Sequence, residues 1–191
     1  GANHARSRGI AEARGSHWVF TDDDGIVEAE WLNDFINAFR NYPDAACITG
    51  GVVTRFLEPR PEWLSDGLLS YYGEQNFGEN ATYLIFPQFP VEMNMAFTRN
   101  TLTEIGGFST LISRDAKTLM SNDGMIFFNN LAEKGLQVLY IPGALLFHLT
   151  PPERISQKWI LNIVYWQGVS DVAVRQILTP KSRSALMAQA W

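Results

Sequence analysis

Helical and extended segments alternate along this chain, and no other feature constrains its fold as strongly. Residues 29–40 repeat apolar side chains at helical spacing, and residues 4–14 are predicted to form a helix that ends before Gly15. Residues 18–21 form a short apolar run, and residues 45–56 form a β-branched run. Alternation of this kind is typical of layered domains in which helices cover a sheet. The sequence therefore predicts an α/β fold.

The second half of the chain continues the alternation. The predicted order is strand, helix, helix, strand, strand and helix, at residues 93–98, 99–107, 121–134, 137–141, 144–149 and 152–178. Ser121 is a favourable N-cap, and the Pro-Gly pair at residues 142–143 predicts a turn between the last two strands. Gly50 and Gly51 interrupt the earlier β-branched run, which predicts a bulged or bent strand.

Composition indicates a globular protein and excludes one class of partner. The chain has 191 residues, 46% of them hydrophobic, so it can bury a sizeable core. Its net charge is −5 without a basic run, so we expect no nucleic-acid partner. Cys47 is the only cysteine, which excludes a disulfide framework within the chain and fits a reducing compartment. No apolar run approaches the roughly 20 residues that span a bilayer, and we expect a cytoplasmic protein.

Three consecutive aspartates follow the apolar run 18–21 directly. At the end of a strand, Asp22 and Asp24 would point to one face and Asp23 to the other. Paired carboxylates suit Mg²⁺ or Mn²⁺, and α/β folds bind ligands at the carboxyl ends of their strands. The alternative is an acidic turn in which Asp24 and Gly25 are turn residues. The triplet alone leaves both interpretations open.

Other side chains have a functional interpretation and a structural one. Asp123 lies in the first turn of a predicted helix, where the helix dipole favours a carboxylate that could act as a general base. Ordinary decoration of a helix N-terminus is the alternative. His148 ends an apolar strand and is either a structural residue or an imidazole ligand of the same metal. Aromatic side chains that could stack on a sugar or a base, or simply pack in the core, are Trp63, Trp159 and Trp166.

The order of these motifs resembles that of family 2 glycosyltransferases, which are inverting enzymes of the GT-A fold. The stretch "ANHARSRGIAEARGSHWVFTDDDGIVEAEWL" is similar to the family's "ARN-x-G" helix, "D-x-D" strand end and Trp-Leu helix. "MNMAFTRNTLTEIGGF" is similar to the "N-M-A-F…GGF" segment, and "SNDGMIFFNNLAEKGLQVLYIPGALLFH" to the "E-D…H" segment. The resemblance extends from residue 1 to about residue 170.

The resemblance implies roles for the donor side of a site. Asp22 and Asp24 match the D-x-D pair and are expected to hold Mg²⁺ or Mn²⁺ against the diphosphate of a nucleotide-sugar donor, with Asp22 also near the ribose. His148 matches a histidine that can complete the metal site. Arg6 matches the arginine of "ARN" and is expected near the nucleotide, although Ser7 replaces the asparagine of that motif.

On the acceptor side, Asp123 matches the aspartate of "E-D", the general base that deprotonates the acceptor hydroxyl. Asn94 matches the asparagine of "N-M-A-F" and is expected near donor and acceptor. Asn122 departs from the family, which usually has glutamate there, and a neutral amide cannot share charge with a catalytic carboxylate. That departure weakens the acceptor-side assignment.

The implied function is metal-dependent, inverting transfer of a sugar to a hydroxyl of a sugar or lipid-linked acceptor, in polysaccharide or glycoconjugate synthesis. Two alternatives stay open: a non-catalytic GT-A-like binding domain, and another nucleotide-diphosphate transferase. We expect a GT-A-type mixed sheet at residues 1–150 without the opening nucleotide-binding strands of the fold. Residues 151–191 are expected to form a helical extension that packs on this core; an oligomer contact and a contact with the cytoplasmic face of a membrane are the alternatives.

Overall fold

The computed structural model describes residues 2–108 and 118–178 of the chain. Its helices are α1 (Ala2–Glu12), α2 (Trp31–Asn41), α3 (Arg99–Ile105), α4 (Asp123–Glu133) and α5 (Gln157–Leu178). Its strands are β1 (His17–Thr21), β2 (Gly25–Val27), β3 (Ala45–Phe56), β4 (Thr82–Leu84), β5 (Asn94–Thr98) and β6 (Gln137–Thr150). Short 3-10 helices occupy Asp66–Tyr72 and Pro152–Arg154. The alternation predicted from the sequence is confirmed.

The strands of the described residues form one mixed sheet in the order β1-β5-β3-β6-β2. β3 and β6 are parallel, whereas β1 with β5, β5 with β3 and β2 with β6 are antiparallel. β4 also pairs with β6, at the opposite end from β2 and on the edge away from β3. This order brings the carboxyl end of β1 and the residues before β5 to the same end of the sheet.

Helices cover both faces of the sheet because alternate side chains of each strand point to opposite sides. On one face, Phe35 of α2 packs in a cluster that includes Ile48 of β3. On the other face, Phe127 and Leu131 of α4 pack in a cluster with Phe97 of β5. Burying each of these large side chains contributes on the order of 1.5–3 kcal/mol. The two clusters anchor α2 and α4 on opposite faces of the sheet.

The prediction of two strands around a turn at residues 142–143 is wrong. β6 continues through these residues, and they lie where its register against β3 shifts. Gly50 pairs with Ile141, but Val52 pairs with Leu146, so β6 contributes more residues than β3 to this step. The Pro-Gly pair therefore produces a bulge inside a strand, because the ladder with β3 resumes after it.

A buried amide satisfies the backbone groups that this bulge leaves free of ladder bonds. Asn94 Nδ2 donates to the carbonyls of Gly51 and Ala144 at 2.8 Å each. Its Oδ1 accepts a 2.8 Å hydrogen bond from the indole of Trp31. At Gly50, an added Cβ would lie 1.9 Å from the Ala144 carbonyl oxygen, so only glycine fits. The bulge, Gly50 and Asn94 form one interlocked unit in the core.

α5 packs on α4 and on the first 3-10 helix. Ile160 and Ile163 are buried with Leu64 and Tyr72, and Val174 is buried farther along α5. Within the described part of the chain, no helix combines the length and apolar character that crossing a membrane requires. The division into a core at 1–150 and an extension at 151–191 stays a prediction, and residues 179–191 lie outside the described residues.

Candidate active site

A cleft of about 650 Å³ opens beyond the carboxyl end of β1, bordered by α1, the residues before β5, and the start of α4. Four residues predicted from the sequence contribute to its lining: Arg6, Asp22, Asp123 and His148. A second cleft of about 910 Å³ shares three of these residues and contains Asp24. The fold therefore brings the predicted donor-side residues and the predicted base to one region of the surface.

The three aspartates lie in a turn and not on a strand. β1 ends at Thr21, and the Asp22 carbonyl accepts a 3.1 Å hydrogen bond from the amide of Gly25, where β2 begins. The prediction that strand alternation aligns Asp22 with Asp24 is therefore wrong, and the acidic-turn alternative describes the backbone correctly. The turn directs the two side chains to different partners.

Asp24 and His148 are in direct contact. His148 Nε2 lies 3.2 Å from Asp24 Oδ2, and the other ring nitrogen faces the Tyr72 carbonyl. Because a carbonyl can only accept, the contact with Tyr72 calls for an N–H at Nδ1, so that Nε2 faces the Asp24 carboxylate. A cation held between Nε2 and the carboxylate oxygen would bind to both groups. Arg154 Nη1, 3.6 Å from the same Asp24 oxygen, adds positive charge nearby.

The side chains present fit a divalent cation in part. Asp24 and His148 meet at one point, whereas Asp22 Oδ1 contacts the Arg6 guanidinium at 3.2 Å. Within residues 2–108 and 118–178, no group of three or more His, Cys, Asp or Glu side chains is arranged to hold a metal ion. Mg²⁺ commonly uses only one or two protein carboxylates and takes its other ligands from water and substrate phosphates. Asp24 and His148 could provide the ligands that come from the protein, and Asp22 lies in the same cleft.

Arg6 joins several acidic groups. Its guanidinium forms ion pairs with Asp22 and Glu92, and Nη1 also donates to Asn3 Oδ1 at 3.0 Å. The Arg6 side chain is 10% exposed and that of Glu92 is 12% exposed, so solvent screens their contact weakly. Arg6 is three residues after Asn3, and residues at that spacing share one face of a helix. α1 thus directs Arg6 into the cleft and the buried Asn3 side chain against Asp123 at the edge of the cleft.

Asp123 begins α4 and is linked to Arg6 through the Asn3 side chain. Asn3 Nδ2 donates to Asp123 Oδ2 at 2.7 Å, and backbone amides at the helix start also hydrogen-bond the carboxylate. Burial raises the pKa of Asp123, while the Arg6 charge and these hydrogen bonds oppose that rise. A half-buried carboxylate whose pKa lies above its ordinary value is a stronger base than an exposed one and suits proton transfer.

Glu92 is a charged residue of the cleft that the sequence did not single out. Burial, and then the charge of Asp123, raise the pKa of Glu92 from 4.5 to about 7, although Arg6 acts in the opposite direction. Its Oε1 is buried without a hydrogen-bond partner among the residues that the structure describes. The cleft therefore contains two carboxyl groups with raised pKa values, Glu92 and Asp123, and the Arg6 guanidinium contacts the first of them directly.

Aromatic side chains form the opposite side of the cleft. Trp159 of α5 stacks on Tyr72, with ring centroids 4.8 Å apart and an angle of 26° between the ring planes. Tyr71 and Phe77 also line the cleft. Trp63 belongs to the apolar cluster beneath, which agrees with core packing. Trp159 has both roles considered from the sequence, because it packs on the core and faces the cleft.

Ser121 does not cap α4 as predicted. The N-cap is Asn122, in the left-handed conformation with φ 66°, and its own side chain makes no capping hydrogen bond. Ser121 Oγ donates to Gln167 of α5 at 2.8 Å, and Asn122 contacts Gln167 and Asp171. Both side chains therefore hydrogen-bond to polar groups of α5 and do not cap α4. The Asn122 side chain is directed to α5 and not to Asp123.

Asn94 lies outside the cleft. It is fully buried, and both ends of its side-chain amide are engaged in the core. Its observed contacts are structural, and its expected place near donor and acceptor stays a prediction. Sequence reasoning also missed Asn3, Glu92 and Arg154. Of these, only Asn3 had a recognisable signal, its helical spacing from Arg6.

Known proteins are similar to this chain in sequence and in fold. The model of the family described as Glycosyltransferase like family 2 matches residues 1–166. A Haloferax volcanii protein named glucosyl-dolichyl phosphate glucuronosyltransferase is 25% identical over 185 residues, a match that covers 95% of this chain and 58% of the relative. The chain thus spans 58% of that relative's length.

A solved structure, "GalNAc-T7 with UDP, GalNAc and Mn2+", matches with a TM-score of 0.52 at 13% identity, covering 78% of this chain and 30% of that chain. At this identity the likeness concerns the fold alone. It confirms the predicted GT-A-type architecture, a mixed sheet flanked by helices.

Proposed function

This chain belongs to the glycosyltransferase-like family 2, and from that premise we propose that the intact protein transfers a sugar from a nucleotide-diphosphate donor to an acceptor hydroxyl with inversion. One observation carries the proposal. Asp123, a partly buried carboxylate at a helix start, shares a cleft with Arg154, whose positive charge suits a diphosphate, and with His148, which suits a metal ion. The proposed reaction breaks the bond between the anomeric carbon and the diphosphate and forms one to the acceptor oxygen.

On the donor side, Asp24 and His148 would hold Mg²⁺ or Mn²⁺, which when bound neutralises charge on the leaving diphosphate. Arg154 offers guanidinium donors beside Asp24, and its side chain is 34% exposed and therefore accessible to a phosphate. Arg6 orients Asp22 through their ion pair. The solved structure of similar fold holds UDP and Mn²⁺, which supports this choice of ions and nucleotide.

On the acceptor side, Asp123 would take the proton of the attacking hydroxyl. Asn3 fixes one carboxylate oxygen by its 2.7 Å hydrogen bond, so the carboxylate has a defined direction before an acceptor arrives. A positioned general base typically contributes 10²- to 10⁴-fold to a rate, as an order-of-magnitude estimate. The proton that leaves the hydroxyl stays on Asp123 until solvent accepts it after the product departs.

The acceptor class that we propose is a sugar attached to a lipid. The name of the Haloferax volcanii relative specifies glucosyl-dolichyl phosphate as acceptor and a glucuronosyl group as the one transferred. The aromatic side of the cleft, with Trp159 stacked on Tyr72, is suited to the apolar face of a sugar ring. Because a lipid-linked acceptor is anchored in a membrane, the protein would meet it at the membrane surface.

The direct test uses the full-length protein with UDP-glucuronic acid, UDP-glucose and UDP-GalNAc as donors and glucosyl dolichyl phosphate as the acceptor. Reactions contain Mn²⁺ or EDTA, and proton NMR reads the anomeric configuration of the product. We expect transfer with inversion from one of the donors and loss of transfer in EDTA. Retention would contradict the mechanism. Donor binding without release of UDP from any donor would favour the non-catalytic alternative.

A further inference from the structure

Glu92 reaches the start of α4 from a different part of the fold. It precedes β5, and its Oε1 lies against Gly124, where an added Cβ would be only 3.1 Å from that oxygen. Gly124 directly follows Asp123, so the glycine leaves the space through which Glu92 approaches the candidate base. The same Oε1 is buried and has no hydrogen-bond partner among the described residues, whereas Oε2 contacts Arg6.

Position 122 does not supply an acid to this cleft. Asn122 is neutral, and its side-chain amide faces Gln167 and Asp171 of α5. Among the described residues, Glu92 is the carboxyl group that approaches Asp123, and it does so from the β5 side of the cleft. The second acid on the acceptor side is therefore Glu92, which precedes β5, and not the residue that precedes Asp123.

Arg6 lies between the charges that this arrangement must balance. One guanidinium nitrogen contacts Asp22 at 3.2 Å, and the other contacts Glu92 and, at 3.0 Å, Asn3. Asn3 in turn contacts Asp123, so the guanidinium reaches the base only through an amide. A guanidinium in direct contact with Asp123 would stabilise its ionised form and weaken it as a base. Glu92 draws the guanidinium away from that contact.

We infer that Glu92 is a positioning residue for the proposed transfer: it holds Arg6 between the donor-side Asp22 and the acceptor-side Asn3, and so keeps Asp123 free to accept the proton. This inference rests on the proposed function for its role in turnover, but the electrostatic effect belongs to the protein alone. In the part of the chain that the structure describes, the charged groups that face Glu92 are Arg6 of α1, Asp22 after β1, and Asp123 of α4.

The test compares wild type with Glu92→Gln in the full-length protein, using carbon-13 NMR to follow the titration of the Asp123 carboxyl. Glu92→Gln removes one negative charge and frees Arg6, so the titration midpoint of Asp123 should move to lower pH. Glu104→Gln, which removes an exposed carboxylate paired with Lys134 at 3.9 Å, is the matched control and should leave the midpoint in place. An unchanged midpoint in Glu92→Gln contradicts the inference.

Kinetics supply the second measurement, with UDP-glucuronic acid as donor. We expect kcat of Glu92→Gln to fall about tenfold, the acidic limb of its pH profile to move to lower pH, and KM for the donor to change little. A lower kcat with an unmoved pH limb would mean a structural role only and would overturn the inference. If wild type itself shows no transfer, the proposed function fails, and the NMR titration still decides whether Glu92 controls Asp123.

Discussion

The Asn3 side-chain amide donates a 2.7 Å hydrogen bond to the Asp123 carboxylate, across 120 residues of sequence. Asn3 is only 1% exposed, so this bond is protected from water. It ties the first helix of the described chain to the first residue of α4. The direction of the candidate base is therefore set by α1 as well as by its own helix.

Replacing Asn3 by alanine should misorient Asp123. Loss of the amide leaves a largely buried carboxylate oxygen without this partner, which typically costs about 1–3 kcal/mol. We expect the free energy of unfolding in urea to fall by this order and kcat to fall about tenfold, with donor affinity nearly unchanged. His4→Ala, at the exposed neighbouring position of α1, is the control. A full kcat in Asn3→Ala would show that the bond does not orient the base.

Removing Asp24 or His148 should weaken metal-dependent binding of UDP. Isothermal titration of UDP in Mn²⁺ should show at least about tenfold lower affinity for Asp24→Ala and for His148→Ala. The affinity measured in EDTA should be the same for both variants and wild type. Asp23→Ala, an exposed member of the same triplet, controls for the loss of one aspartate. Equal Mn²⁺-dependent affinity in all four proteins would remove these residues from the metal site.

Glu92 should make stability fall as the pH rises from about 4.5 to about 7. Its pKa is raised in the folded state, so between these values the folded protein binds more protons than the unfolded chain. Stability from this group is complete below pH 4.5 and is lost as the pH passes about 7. The shift corresponds to at most about 3 kcal/mol.

Urea unfolding of wild type and Glu92→Gln across this range measures that contribution. The stability of Glu92→Gln relative to wild type should increase steadily with pH, because the amide does not titrate. Glu104→Gln controls for the removal of one carboxylate. A difference between Glu92→Gln and wild type that stays constant from pH 4.5 to pH 7 would show that Glu92 titrates normally in the folded protein.

Restoring glutamate at position 122 should destabilise the protein. Asn122 adopts φ 66°, which asparagine tolerates better than glutamate, and its side chain faces Asp171. Asn122→Glu should therefore cost about 1–3 kcal/mol in thermal unfolding, since it combines backbone strain with like-charge repulsion. Adding Asp171→Asn should recover the electrostatic part, and the difference in stability between Asn122→Ala and Asn122→Gly measures the backbone part. If Asn122→Glu is as stable as wild type, position 122 does not face α5 as the structure shows.

The order of elements was predictable from the sequence because apolar spacing, glycines and prolines act locally. The predictions of a helix cap and of a turn were wrong because contacts with residues distant in sequence determine the local conformation at these positions. Ser121 has the chemistry of an N-cap, but its hydroxyl donates to Gln167, 46 residues away. The Pro-Gly pair at residues 142–143 signals a turn, but pairing with β3 on both sides keeps it inside one strand.

In the candidate site, too, residues with local sequence signals could be predicted, whereas residues that depend on distant contacts could not. Asp22, Asp24, Asp123 and His148 could be proposed from the sequence because each has a local motif or matches one of a known family. Glu92 has neither, and its importance comes from Arg6, which is 86 residues away in sequence and in contact in the fold. Asn94 shows the reverse, because its motif suggests a ligand contact while its position in the sheet makes it a core residue.

Asp123→Asn tests the proposed mechanism most directly, because the substitution keeps the size of the side chain and removes its capacity as a base. Turnover of UDP-glucuronic acid with glucosyl dolichyl phosphate and binding of the donor are measured on the same full-length protein. We predict a fall in kcat of about 10²- to 10⁴-fold with the donor dissociation constant within about threefold of wild type. Retained turnover, or an equal loss of turnover and donor binding, would contradict the role of Asp123 as the base.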